Sequence, residues 1–192
     1  MKTPVLSREF YRQPTLLVAE LLIGKVLVSR TPEGVASGVI VETEAYTLND
    51  PANHSYRGKT PRNATMFGDA GHAYVYAVHA SHCLNIVTEP EGVPCAVLIR
   101  ALEPLEGLDL MRSRRGVADV RLLASGPGRL CCALGITREW DGLDVTCPDG
   151  PLKLLDAGLS PGPVVRTRRI GIRAAVDLPY RFLVSGSPFV SR

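Results

Sequence analysis

The chain has 192 residues, 45% of them apolar and 21% charged, with a formal net charge of +3. That length buries a full core without staples and argues for a single domain over residues 1–192, with ordinary globular composition. The net charge is too small to prove a polyanionic partner. The basic residues are mostly arginine, with four lysines (Lys2, Lys25, Lys59 and Lys153). Arginine suits bidentate contact with phosphate, and it is also common in chains from G·C-rich genomes. Five cysteines (Cys83, Cys95, Cys131, Cys132 and Cys147) follow no framework spacing, which fits reduced, buried thiols. The start, Met1-Lys2-Thr3-Pro4, lacks the apolar core of a signal peptide, and no apolar run approaches spanning length. A cytoplasmic protein with no membrane partner is expected.

In chain order, residues 15–23 carry helix formers, with Thr15 as N-cap and Gly24 at the helix end. Residues 25–29 read as a short strand and Thr31-Pro32-Glu33-Gly34 as a turn. A long acidic strand follows over residues 35–46. Residues 47–72, rich in Asn, Asp, Gly and Pro, read as a long loop, which in a compact domain is functional or disordered. Hairpin-style strands are expected over 73–78, 83–88 and 95–102, the last two joined through Glu89-Pro90-Glu91-Gly92. A helix is expected over 108–115. Another is capped by Ser125-Gly126-Pro127 and stops at Gly135. Strands near 164–172 and 181–184 close the chain. Strands outnumber helices and return by short turns, which predicts an α+β fold on a curved antiparallel or mixed β-sheet, with flanking helices and a protruding β-hairpin.

The chemistry concentrates in Val41-Glu42-Thr43-Glu44-Ala45-Tyr46. Along a strand, Val41, Thr43 and Ala45 share one face, and Glu42, Glu44 and Tyr46 share the other. Two acids and an aromatic ring on one face make a wall for a cavity that holds a flat ligand and activates a water. His54, Thr60-Pro61-Arg62-Asn63 and Tyr74-Val75-Tyr76 follow.

These segments, with Cys83-Leu84-Asn85, the run from Arg100 to Gly107, Ser125-Gly126-Pro127 and Gly186-Ser187-Pro188, resemble the alkyladenine (3-methyladenine) DNA glycosylase family, in order from Leu6 to Ser191. The resemblance implies a base-excision-repair enzyme that binds double-stranded DNA, flips a damaged purine into a pocket and leaves an abasic site, as a monomer without metal or organic cofactor. By the same resemblance Glu44 is the general base for a water, and Arg100 and the backbone carbonyl of Ile170 hold that water. Tyr46, His54 and Tyr76 are the aromatic walls around the base, with the His54 backbone N–H offered to its edge. Asn85 crowds the exocyclic amino group of normal guanine. His79 stands where the family often has a tyrosine that wedges into the duplex, in a segment one residue shorter.

Each residue also has a plainer reading. Glu44 and Arg100 make a salt bridge with no water between them, Ile170 packs in a strand, and Tyr74 and Tyr76 pack on one face. Asn85 ties two strands together, His54 is a surface or cap residue, and His79 is a solvated turn residue. His72, His79, His82 and Cys83 match no zinc spacing, and Pro94-Cys95 lacks the second cysteine of a zinc deaminase. Arg112, Arg114, Arg115, Arg121, Arg166, Arg168, Arg169, Arg173 and Arg181 are candidates for phosphate contact or for a solvated face. Two other functions compete: a non-catalytic nucleic-acid-binding module, and a hydrolase of free purine nucleosides.

Overall fold

A computed structural model describes residues 3–191. Met1 and Lys2, which open the stretch read for a leader, lie outside the described residues, as does Arg192. The strands are β1 (Val26–Thr31), β2 (Gly34–Tyr46), β3 (Ala73–Val78), β4 (Ser81–Thr88), β5 (Cys95–Glu106), β6 (Leu152–Leu155), β7 (Val164–Thr167) and β8 (Arg181–Val184). They form one eight-stranded sheet with the path β3-β4-β5-β2-β1-β6, and β8 joins β2 to β7. Every pairing is antiparallel, so the mixed alternative falls away. The helices are α1 (Arg8–Tyr11), α2 (Thr15–Leu21), α3 (Leu108–Arg115) and α4 (Pro127–Leu134). No helix among the described residues is long and apolar enough to cross a membrane.

Strand β2 organises the sheet. Its first half pairs β1, its last residues (Glu42, Thr43 and Glu44) pair β8, and β5 runs along its other side. The register with β5 shifts between Ile40 and Glu42 and again between Glu42 and Thr43. Such bulges bend a strand and raise its twist, and here they fall where β2 exchanges β1 for β8. The sheet curls at that point. The inner face, with Val41 and Ala45, shares a core with Val18 and Ala19 of α2, with Leu22 just after that helix, and with Leu130 and Leu134 of α4. The Thr43 hydroxyl donates to the Ala19 carbonyl at 2.8 Å.

Helix boundaries follow glycine. Gly107 and Gly116 flank α3 in left-handed conformation, and a Cβ at Gly107 would lie 2.3 Å from the Val35 carbonyl. Asp109 in the first turn and Arg112, Arg114 and Arg115 in the last complement the helix dipole. Gly128 at the start of α4 lets Ser81, beside the turn of the β3–β4 hairpin, approach, since a Cβ there would sit 2.8 Å from that side chain.

Several boundaries differ from the sequence reading. Thr15 is the first helical residue, not the N-cap. Pro14 takes that place, and the Thr15 hydroxyl bonds Glu89 at 2.8 Å instead. Within Ser125-Gly126-Pro127, Gly126 is the N-cap of α4 and Pro127 its first residue, and the helix stops at Gly135 as read. The strand expected over 164–172 ends at Thr167, because Arg169 turns inward to a buried carboxylate. Strand β6 was not anticipated. All five cysteines are free, but only Cys83, Cys95 and Cys131 are buried, while Cys132 and Cys147 are exposed.

Candidate active site

Strand register sets the first row of the site. Across the sheet, Tyr74 pairs Asn85, Asn85 pairs Leu98, Leu98 pairs Glu44, and Glu44 pairs Arg181. Directly opposed residues project to the same face. One transverse row from five strands therefore brings a phenol, an amide and a carboxylate to one side, with Tyr46, Tyr76 and Arg100 beside it. Above this face lies a cavity of about 520 Å³ lined by Tyr46, His54, Tyr74, Tyr76, Asn85, Arg100 and Ile170, among others. Its size is typical of small-molecule pockets.

Glu44 is fully buried behind the cavity wall. Its Oε1 accepts the Ile170 N–H at 2.7 Å, and its Oε2 accepts the Tyr46 hydroxyl at 2.9 Å and Arg100 Nη1 at 3.2 Å. All three donors line the cavity, so the carboxylate sits one layer beneath its floor. A carboxylate offers about four acceptor positions. Three are filled by these donors. The sequence reading joined Ile170 to the site through its carbonyl; here its amide makes the contact. Arg100 touches Glu44 directly.

Arg100 also bridges to Glu42, donating through Nε at 2.9 Å. Glu42 is equally buried and accepts Arg181 Nε at 2.7 Å, the Ser191 hydroxyl at 2.8 Å and the Ser191 amide at 2.5 Å. Two carboxylates and two guanidiniums thus form one buried network, the condition under which internal charge is tolerated.

The aromatic wall is continuous. His54 meets Tyr76 edge-on with centroids 4.6 Å apart, Tyr74 lies 5.3 Å from Tyr76, and the Tyr74 hydroxyl bonds His54 Nδ1 at 3.0 Å. Tyr74 therefore does more than pack. Arg62 lies over the Tyr76 ring at 5.6 Å. Asn85 is buried, lines the cavity and donates from Nδ2 to the Tyr74 carbonyl at 3.1 Å, so it both ties β3 to β4 and faces the cavity. His79 does not line it. Val78 and Ser81 pair across the turn, leaving His79-Ala80 as a two-residue tip, with His79 exposed at φ +51°. Histidine is among the non-glycine residues enriched in that conformation.

A family model described as methylpurine-DNA glycosylase matches residues 9–188. The chain belongs to that family. A protein of Methanoculleus marisnigri named "Putative 3-methyladenine DNA glycosylase" is 52% identical over 192 residues, covering 97% of this chain and 98% of its own. Proteins of the same name from Nitrosospira multiformis (54% identical; 91% of this chain, 88% of its own) and Mesorhizobium japonicum (49%; 98% and 90%) are similar throughout. Membership makes the chain a DNA glycosylase for alkylated bases, a DNA-repair hydrolase whose substrate is DNA.

The electrostatics of the wall suit a glycosylase pocket. Burial, and then the charge of Glu44, hold the Tyr46 hydroxyl well above its ordinary range, and burial does the same to Tyr76. Burial pushes Tyr74 up to about 12. All three phenols stay protonated at neutral pH. Burial of the ring, helped by nearby Arg62, lowers His54 below its usual 6.5, although one side is open to solvent. That shift favours the neutral ring at neutral pH.

Sequence reasoning missed the residues that hold the loop over 47–72. Asn53 donates to the Thr47 and Pro94 carbonyls at 2.8 and 3.0 Å, and Asn63 to those of His54 and Gly58 at 2.9 and 3.0 Å. Asp50 meets Arg169 in a buried ion pair. Their residue types mark a loop; only their burial marks an anchored one. Among the surface arginines, Arg112, Arg114, Arg121, Arg166 and Arg168 pair with nearby acids. Arg169 and Arg181 point inward onto Asp50 and Glu42, which removes both from the phosphate candidates. Arg173 lies at the cavity. Among the described residues, no three His, Cys, Asp or Glu side chains gather as a metal site requires.

Proposed function

We propose that the chain over 1–192 acts as one monofunctional glycosylase domain, hydrolysing the N-glycosidic bond of a damaged purine flipped out of double-stranded DNA and leaving an abasic site. The carrying observation is the buried Glu44, whose three donors all line one aromatic-walled cavity. Glu44 takes the proton of a water as the water oxygen bonds the anomeric carbon. The glycosidic carbon–nitrogen bond breaks, and its electron pair leaves with the base. For a purine alkylated at N3 or N7 the pair neutralises a cation, so the base needs no further activation. The carboxylate also stabilises the oxocarbenium-like charge on the sugar. Arg100 and the Ile170 amide hold the carboxylate in place.

Tyr46, His54 and Tyr76 sandwich the base. Cation–π contact with electron-rich rings contributes about 1–2 kcal/mol each for a cationic purine when desolvated, and less for a neutral one. Asn85 crowds the amino group of guanine. His79, at the hairpin tip, enters the space the base vacates, offsetting part of an unstacking cost of a few kcal/mol. The enzyme works as a monomer on chromosomal DNA in the cytoplasm, without cofactor.

The test is incubation of the protein with duplex DNA methylated by dimethyl sulfate, followed by chromatography of the released bases. Free 3-methyladenine or 7-methylguanine with matching abasic sites is expected, and no hydrolysis of the corresponding free nucleosides. Release from nucleosides alone would make it a nucleoside hydrolase. Tight DNA binding with no release would make it a binding module.

A further inference from the structure

Outside the residues already assigned, one buried charged pair touches both ends of the Glu44 environment. The Arg169 side chain is fully enclosed, and so is that of Asp50, at the start of the long loop. The contact is bidentate: Arg169 Nη1 donates to Asp50 Oδ2, and Nη2 to Oδ1 at 2.9 Å. Nη1 also donates to the Ala45 carbonyl at 2.9 Å. The guanidinium lies 4.7 Å from the centroid of the Tyr46 ring and 5.4 Å from that of Tyr180. Ala45 separates Glu44 from Tyr46 on β2, and Ile170 follows Arg169 directly. One planar group is therefore bonded or stacked beside two of the three donors that Glu44 accepts.

We infer that Asp50 and Arg169 are positioning residues, a clamp that sets the Tyr46 hydroxyl and the Ile170 amide against Glu44. The inference rests on the function proposed above. The geometry shows why arginine is needed. Only a flat, forked cation meets a carboxylate with two parallel bonds, reaches a backbone carbonyl and stacks on rings. Arg169 Nε has no partner, a polar atom left buried and unsatisfied so that the rest of the group can hold this pose. Without the clamp, the end of β2 and the segment after β7 lose their shared anchor. Glu44 then keeps its depth but loses its orientation.

Removing Arg169 alone would strand the Asp50 charge, so the test uses Arg169→Gln/Asp50→Asn, which removes both charges together and leaves neither buried unpaired. A second variant, Arg169→Lys, keeps the charge but cannot serve Asp50, the Ala45 carbonyl and Tyr46 at once. Release of 3-methyladenine from dimethyl-sulfate-methylated duplex is followed under single turnover over a range of enzyme concentrations, below each variant's melting temperature. The rate constant at saturating enzyme should fall by about ten- to a hundredfold, the scale of a small misplacement of reacting groups. The half-saturating concentration should stay within about threefold of wild type. Arg169→Lys should fall between wild type and the double variant. A rate constant within twofold of wild type in either folded variant overturns the clamp, as does a loss that lies entirely in the half-saturating concentration. A wild-type protein that releases no base would instead overturn the proposed function.

Discussion

Glu42 and Glu44 stand two residues apart, both fully buried and both bonded to Arg100, yet glutamine at the two positions should do opposite things. Glu42 Oε1 faces two guanidinium donors and the Ser191 hydroxyl, and Oε2 faces the Ser191 amide. A glutamine there has no good orientation. Its NH₂ must oppose either Arg100 and Arg181 or a backbone N–H, none of which can accept. Breaking a buried ion pair on one side costs about 3–5 kcal/mol. At roughly 2–4 °C per kcal/mol for a chain of this size, that is a melting temperature lower by roughly 6–20 °C. At Glu44, a glutamine oxygen still accepts the Ile170 amide, and its NH₂ can donate to the Tyr46 hydroxyl, which rotates to accept. Only the longer Arg100 contact is lost, and Arg100 keeps Glu42 as its partner, so the cost is nearer that of one unsatisfied buried group, about 1–3 kcal/mol. Thermal and urea unfolding of both variants, followed by circular dichroism, measure the difference. Glu42→Gln should be the less stable by about 2 kcal/mol or more and retain base release at low temperature. If it unfolds with wild-type stability, or if Glu44→Gln is the less stable, the account of the network is wrong.

Three further outcomes follow from the cavity. His54 is held below its usual range by burial and by Arg62, so it is neutral above that range and gains charge as pH falls through its lowered value. Enzyme saturation on a cationic 7-methylguanine duplex should therefore weaken as pH falls through that lowered range, whereas saturation on a neutral hypoxanthine duplex should not; parallel curves for the two would contradict the assignment. His79→Tyr at the exposed hairpin tip should speed excision from duplex but not from single-stranded substrate, by a few-fold, and an unchanged duplex rate would remove His79 from the flipping step. Asn85→Ser should raise the slow release of unmodified guanine by about tenfold or more, roughly the 1.4 kcal/mol of one modest contact, as measured by abasic sites formed in undamaged DNA.

Much of the site was legible because it rests on strand periodicity. Alternation in β2 placed Glu42, Glu44 and Tyr46 on one face, and the Tyr46 hydroxyl meets Glu44 there, although both faces of the strand are buried from Ile40 to Ala45. The Pro-Glu turn before β2 and the glycines bounding α3 were equally local signals. What escaped depends on distant partners. Arg169 sits in a run of basic residues that reads as a solvated face, and its partner Asp50 lies 119 positions away. Asn63 looks like a turn residue until its three bonds to Thr60, His54 and Gly58 are seen holding the loop. Strand β6 has four residues, Leu152–Leu155, too few to show alternation, and gains its identity by pairing β1. Thr15 carried a capping signal, but Glu89 captured its hydroxyl.

The central claim is that the Glu44 carboxylate drives bond cleavage and does little for DNA binding. Its most direct test is single-turnover release of 3-methyladenine by Glu44→Gln, with duplex affinity measured on the same preparation. The account predicts a rate constant lower by about a hundredfold or more, with affinity within a few-fold of wild type. A folded Glu44→Gln protein that releases base at the wild-type rate would contradict it.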